Sequence, residues 1–145
     1  MYKCNVIVMF IFVICHSCTG VSSKELNTEG LSYKQYKYLQ KCKQDFNIDH
    51  LYMEKLPLPD DERNIPPRQF KCMLACFAEG MGYLKGNKLD WSTIKRYQIM
   101  FHEDKQNKTL EVLEICKNHV KDGEEKCELS FKLAKCLQEE FLKGN

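Results

Sequence analysis

Apolar residues recur along most of this chain at intervals of three and four, the period of one helix face. Tyr36, Leu39, Cys42 and Phe46 form the first such stripe. Just ahead of it, Ser32-Tyr33-Lys34-Gln35 fits a capping box, in which two backbone N–H groups at a helix start are satisfied reciprocally. Residues 21–30 are small and polar and predict a loose leader. A short second helix is expected to open at Asp49 and carry Leu51, Met53 and Leu56, with a charged, proline-broken loop over residues 57–63. Pro66-Pro67 suits the entry of a third helix holding Phe70, Cys72, Met73, Leu74, Cys76, Phe77 and Met81. Its wide apolar arc predicts the most buried element, loosened or ended by Gly80, Gly82 and Gly86.

Gly86-Asn87 is a turn signal, and Asp90 reads as the N-cap of a fourth helix with Trp91, Ile94, Tyr97 and Phe101 on one stripe. Residues 102–108 are polar and read as a loop. A fifth helix shows Leu110, Leu113, Cys116 and Val120, ending at Lys121-Asp122-Gly123 with Gly123 near its C-cap. A sixth runs from about Glu124 to Phe141, with Cys127, Phe131, Ala134, Leu137 and Phe141 on its apolar side. No stretch alternates with period two for long enough to predict a convincing strand. The expected fold class is all-α, about six short helices in one unit.

The N-terminus changes this picture. Lys3 precedes a nearly unbroken apolar run from Val6 to Cys15, then Ser17, Cys18, Thr19 and Gly20. The run is too short to span a bilayer and has the layout of a secretory signal peptide. Residues 1–20 are read as that signal, with Ser22 as the alternative cut, and residues 21–145 as one helical domain. Removing residues 1–20 takes away Cys4, Cys15 and Cys18 and leaves six cysteines and a formal net charge of +1. An even cysteine count in a secreted chain predicts three disulfides. A near-neutral surface excludes a phosphate-backbone partner, so no nucleic acid is expected.

Six cysteines allow fifteen pairings. Cys72 and Cys76 lie one turn apart on one helix face with nearly parallel Cβ directions, so they do not pair with each other. Cys127 and Cys136 are separated by about 13 Å along a helix, beyond disulfide reach. Ten pairings remain. Each bridge across a long loop stabilises by roughly 3–4 kcal/mol in the chain-entropy model. A domain held that way tolerates an unfilled apolar space inside, which a domain held by packing alone does not.

The intervals between the six cysteines are 29, 3, 39, 10 and 8 residues. This spacing, above all the short intervals of three and eight, resembles the insect odorant-binding proteins (pheromone- and general-odorant-binding, six-cysteine subgroup). Gly86-Asn87-Lys88-Leu89-Asp90, a glycine turn leading to an acidic residue, is similar to that family as well. The resemblance implies pairing of Cys42 with Cys76, Cys72 with Cys127 and Cys116 with Cys136. It also implies six helices around an apolar pocket that carries odorants or pheromones through aqueous lymph. The partners expected are a small hydrophobic ligand and, at the release step, a chemosensory receptor or a membrane. The chain is expected to be a monomer or weak homodimer without a cofactor. Only nine residues follow Cys136, too few for the long inserted tail helix of some members.

Residues proposed from their helical faces to line the pocket are Leu51, Met53, Leu56, Met73, Phe77, Leu84, Trp91, Ile94, Leu113, Phe131, Ala134 and Leu137. Each reads equally well as ordinary core. Met73 and Met81 suit an adaptable wall, and Tyr83 and Tyr97 are placed to donate a hydrogen bond inward or to face solvent. His50, His102 and His119 are the histidines able to titrate near neutrality, the latter two near helix C-termini. Asn107-Lys108-Thr109 is a glycosylation sequon, and Asn107 or Thr109 also reads as a helix cap. No Gly-x-Ser-x-Gly or His-Glu-x-x-His pattern occurs, and catalysis is not expected. A zinc site at Cys72-x-x-x-Cys76 competes poorly with disulfides in a secreted chain. Two rival readings keep the scaffold: a carrier or scavenger in saliva, venom, haemolymph or reproductive fluid, and a secreted protein-interaction module with a filled interior.

Overall fold

A computed structural model describes residues 25–48 and 68–143. The expected signal peptide, the short helix at Asp49 with the loop after it, and Pro66-Pro67 lie outside the described residues. Five α-helices and one two-stranded hairpin make up the described fold. The helices are α1 (Glu25–Asp45), α2 (Arg68–Met81), α3 (Trp91–Phe101), α4 (Gln106–His119) and α5 (Lys126–Leu142). The hairpin strands β1 (Leu84–Lys85) and β2 (Lys88–Leu89) stand between α2 and α3.

α1 begins seven residues before Ser32, so the loose leader and the capping box are both corrected. The reason is the buried face. Leu31, Gln35, Leu39 and Cys42 are buried at helical spacing, which carries the inward stripe upstream of Ser32. Tyr36, expected on that stripe, faces outward instead. The helix closes with Asn47 in the left-handed region, Asn47 N–H bonding Gln44 O and Ile48 N–H bonding Lys43 O. That is a Schellman cap with asparagine in the glycine position.

α2 buries seven of its residues, among them Phe70, Met73, Leu74, Phe77 and Met81. It also ends in a Schellman cap, at Gly82 (φ 79°), with Tyr83 N–H bonded to Ala78 O at 2.8 Å. Gly80 does not loosen this helix. It makes a notch for the Tyr38 ring of α1, and a Cβ there would overlap that ring. The hairpin pairs Leu84 with Leu89 and Lys85 with Lys88 around Gly86-Asn87. Only Gly86 of these two takes positive φ, the pattern of a hairpin turn with glycine first. The hairpin is fixed to the α4–α5 loop by Leu89 N–H to Asp122 Oδ1 (2.9 Å) and Gly123 N–H to Asn87 O (3.0 Å).

Asp90 caps α3 as expected, its carboxylate accepting from Thr93 N–H at 3.0 Å. The segment 102–108, expected as loop, is a 3₁₀ turn (Glu103–Lys105) running into the first turn of α4. Thr109 does not cap α4. It is fully buried, and its hydroxyl donates back to Lys105 O, one turn earlier. α4 stops at His119 because Val120 turns extended, and Gly123 (φ 97°) belongs to the following loop rather than to the cap.

Three disulfides close the unit: Cys42–Cys76, Cys72–Cys127 and Cys116–Cys136, with Cα separations of 5.8, 4.4 and 5.8 Å. These are the pairs that the family resemblance implies. The closed loops overlap in sequence, each beginning inside the one before it, so α1, α2, α5 and α4 are linked in series. α2 and α5 also pack most extensively against each other, and one continuous apolar core runs through all five helices.

Candidate functional site

Nine of the twelve expected pocket residues lie among the described residues, and all nine join the one core cluster. Met73, Phe77, Leu84, Ile94, Leu113 and Leu137 are buried. Trp91, Phe131 and Ala134 are half-buried against that core. Leu51, Met53, Leu56 and His50 lie outside the described residues. Around the same core stand half-buried Phe46 and Phe101, expected on helical stripes but not as pocket residues, and Tyr38 and Met100, not singled out from sequence. Phe131 is covered on one ring face by the Lys71 ammonium, 4.9 Å from the centroid. Glu128 holds Lys71 there at 2.8 Å, beside the Cys72–Cys127 bridge.

The interior contains polar atoms that helical reading passed over. Tyr83 Oη, Gln98 Oε1, Ser130 Oγ and Gln138 Nε2 are sealed from solvent and make no hydrogen bond. Such orphans are uncommon in folded proteins and each calls for an explanation. Three of them were legible by position. Gln98 follows Ile94 by four on α3, and Ser130 and Gln138 fall four to either side of Ala134 on α5, all on the apolar side.

Between α1 and α3 lies an open groove of about 380 Å³ lined by Gly30, Leu31, Lys34, Arg96, Tyr97 and Met100. Two cations flank its aromatic wall: Lys34 Nζ lies 5.6 Å and Arg96 Cζ 4.9 Å from the Tyr97 ring centroid. Tyr97 also meets Tyr83, with ring centroids 5.8 Å apart. Of the two tyrosines, Tyr83 therefore points into the core, while Tyr97 stands half-buried at the groove.

His102 forms the C-cap of α3, and its ring lies 4.7 Å from that of Phe141. Burial there holds its pKa below the ordinary histidine value, outweighing the upward pull of Asp104. His119 is exposed at the end of α4, and its Nδ1–H donates to Ile115 O. Asn107 is exposed in the first turn of α4. All six cysteines of the described residues are bridged, so Cys72 and Cys76 offer no thiolate to a metal. Among the described residues, no group of three or more histidine, cysteine, aspartate or glutamate side chains converges, and no helix is long and apolar enough to cross a membrane.

Comparison with known proteins places this architecture. The chain is similar to general odorant-binding protein 57c of Drosophila melanogaster, 29% identical over 109 residues, which cover 72% of this chain and 70% of that protein. No solved structure gives a significant match. The PBP/GOBP family matches over residues 24–140, a stretch that takes in all six bridged cysteines and every described helix but for the last residues of α5. The chain belongs to the PBP/GOBP family.

Proposed function

We propose that this protein is a secreted carrier that takes a small hydrophobic ligand, an odorant or pheromone, into an internal pocket and moves it through aqueous extracellular fluid to receptors. The observation that carries the reading is the family match over residues 24–140. Proteins of this family are small-ligand carriers, and the curated relative is named for odorant binding. The overlapping bridges support it physically. They supply stabilisation that does not depend on a filled core, so that an apolar space is affordable.

In this reading residues 1–20 are the signal peptide. Trp91, Phe131 and Ala134, half-buried on the core, are walls, as are Leu51, Met53 and Leu56. The more deeply buried Met73, Phe77, Leu84, Ile94, Leu113 and Leu137 back them. The carrier performs no covalent step on its ligand.

The test is titration of fully oxidised residues 21–145 with an environment-sensitive apolar fluorophore, followed by competition with long-chain alcohols, aldehydes, esters and terpenoids. Saturable binding near one site per chain, displaced by members of the panel, is expected. Folded, correctly bridged protein that takes up no probe at neutral or acidic pH would exclude the carrier function.

A further inference from the structure

The groove between α1 and α3 gathers charge of one sign. From Gly30 to Gln44, α1 carries four lysines and no aspartate or glutamate, and α3 carries Lys95 and Arg96 and no acid. The whole chain has a formal net charge of only +2, so this face is a local excess. Elsewhere cations are neutralised: Lys132, Lys135 and Lys143 pair with Glu124, Glu139 and Glu140 along α5 and its cap. Among the described residues, no ion pair joins Lys34 or Arg96 to a carboxylate. Both instead flank one ring, 5.6 and 4.9 Å from the Tyr97 centroid. Two positive charges so placed repel each other, and Lys34 is half-buried, where water screens less. The rest of the lining is apolar, with Leu31 buried and Met100 half-buried. At Gly30 no atom stands within 4 Å of where a Cβ would be, which leaves that part of the groove open.

We infer that this groove is a binding site for a long-chain carboxylate, its head group between Lys34 and Arg96 and its alkyl chain along Leu31, Tyr97 and Met100. The site is distinct from the internal pocket of the carrier reading and does not depend on it. Its volume of about 380 Å³ falls within the range of small-ligand sites. The charge pattern selects the head group. A guanidinium offers a planar fork of donors that matches two carboxylate oxygens, and the lysine ammonium adds a point charge beside it. The bound anion also relieves the repulsion between the two cations. An ester or alcohol brings no charge and leaves that repulsion in place. A cationic amphiphile is repelled. Acetate satisfies the cations but has no chain for the apolar lining. A bilayer fits less well, because the half-buried Lys34 lines a concave groove rather than a flat face.

The experiment titrates the oxidised protein with monomeric dodecanoate, methyl dodecanoate and acetate, and follows the backbone amides by NMR. Dodecanoate should shift the amides of residues 30–34 and 96–100, which hold the groove lining. Lys34→Gln and Arg96→Gln should each weaken dodecanoate about fivefold, as loss of one partly exposed ion pair does, and leave the methyl ester unaffected. Lys37→Gln removes an exposed charge of the same helix outside the groove and should change dodecanoate affinity by less than about twofold. None of the three side chains belongs to the core, so all three variants should melt with the wild type. Shifts confined to other parts of the chain, unchanged dodecanoate affinity in both groove variants, or an equal loss in Lys37→Gln would each overturn the assignment. So would binding to anionic phospholipid vesicles that needs Lys34 and Arg96 in a protein that takes up no monomeric dodecanoate, which would give this face to a bilayer.

Discussion

α2 and α3 are both packed into the same core, yet they are held there by different means. α2 carries two cysteines, one bridged to α1 and one to α5, and buries only apolar residues. Among the described helices, α3 alone carries no cysteine. It buries Ile94 beside an amide, Gln98. Its two ends are fixed by local chemistry: the Asp90 cap, tied also to Ser92 Oγ and to Lys85 Nζ of the hairpin, and the His102 ring against Phe141. The difference shows where a stapled domain keeps its freedom. The helix without a staple buries Gln98 beside Ile94 and supplies one wall of the groove, so its place in the core depends on packing and on the fixing of its ends rather than on a covalent bond.

Removing covalent closure from α2 should have the largest effect. Replacing Cys72 and Cys127 together by serine opens a loop with a sequence separation of 55 and should cost about 4 kcal/mol. Urea unfolding of the double variant measures it. A loss under about 1 kcal/mol would show that packing, and not the bridge, holds α2 against α5, which would weaken the contrast with α3.

Next comes Ile94→Ala, at the fully buried centre of α3, expected to cost about 3 kcal/mol. Here the site of the damage matters as much as its size. Amide exchange should accelerate across α3 while α2 stays protected, because no bridge couples the two helices directly. Uniform acceleration would mean that they open as one unit.

Asp90→Ala should lower the melting temperature by a few degrees, through loss of the cap on Thr93 N–H. Asp90→Asn should recover most of that, since an asparagine side chain caps comparably. The carboxylate also carries a strongly depressed pKa, chiefly from its hydrogen bond with Lys85. Its charge therefore persists to strongly acidic pH and does not contribute to mild acid sensitivity.

The smallest effect belongs to His102. Its folded-state pKa lies below the unfolded value, so protonation favours the unfolded chain. Its contribution is fully present above the ordinary histidine value of about 6.5 and is lost progressively as pH falls below it. Comparing melting temperatures of wild type and His102→Asn from neutral pH downward should show a steeper acid decline in wild type. Parallel curves would remove His102 from the acid response of α3.

Much of this was legible in the residues. The Asp90 cap, the Gly86-Asn87 turn and the wide apolar arc of α2 follow from local rules, because each depends on a few adjacent side chains. The leader was misread for the opposite reason. Residues 25–31 are too polar to announce a helix, and the segment is helical through burial of Leu31 at the upstream end of a long face. Gln98 was passed over because a stripe drawn through apolar letters alone runs through Tyr97. Burial instead selects Ile94 and Gln98, and leaves Tyr97 at the groove. Gly80 reads as a helix breaker until the Tyr38 ring is seen above it.

The sequence by itself determined the helical class, the Asp90 cap and the Gly86-Asn87 turn, and the requirement for three bridges. Periodicity, turn chemistry and cysteine parity are all written in one dimension. Bond geometry narrowed the fifteen pairings to ten, and family resemblance pointed to one of them. Only the tertiary structure decided which polar side chains, Tyr83, Gln98, Ser130 and Gln138 among them, were carried into the interior unpaired. The physical reason is that a buried hydrogen-bonding group is defined by what surrounds it in space, and those neighbours come from elements that no local pattern ties together.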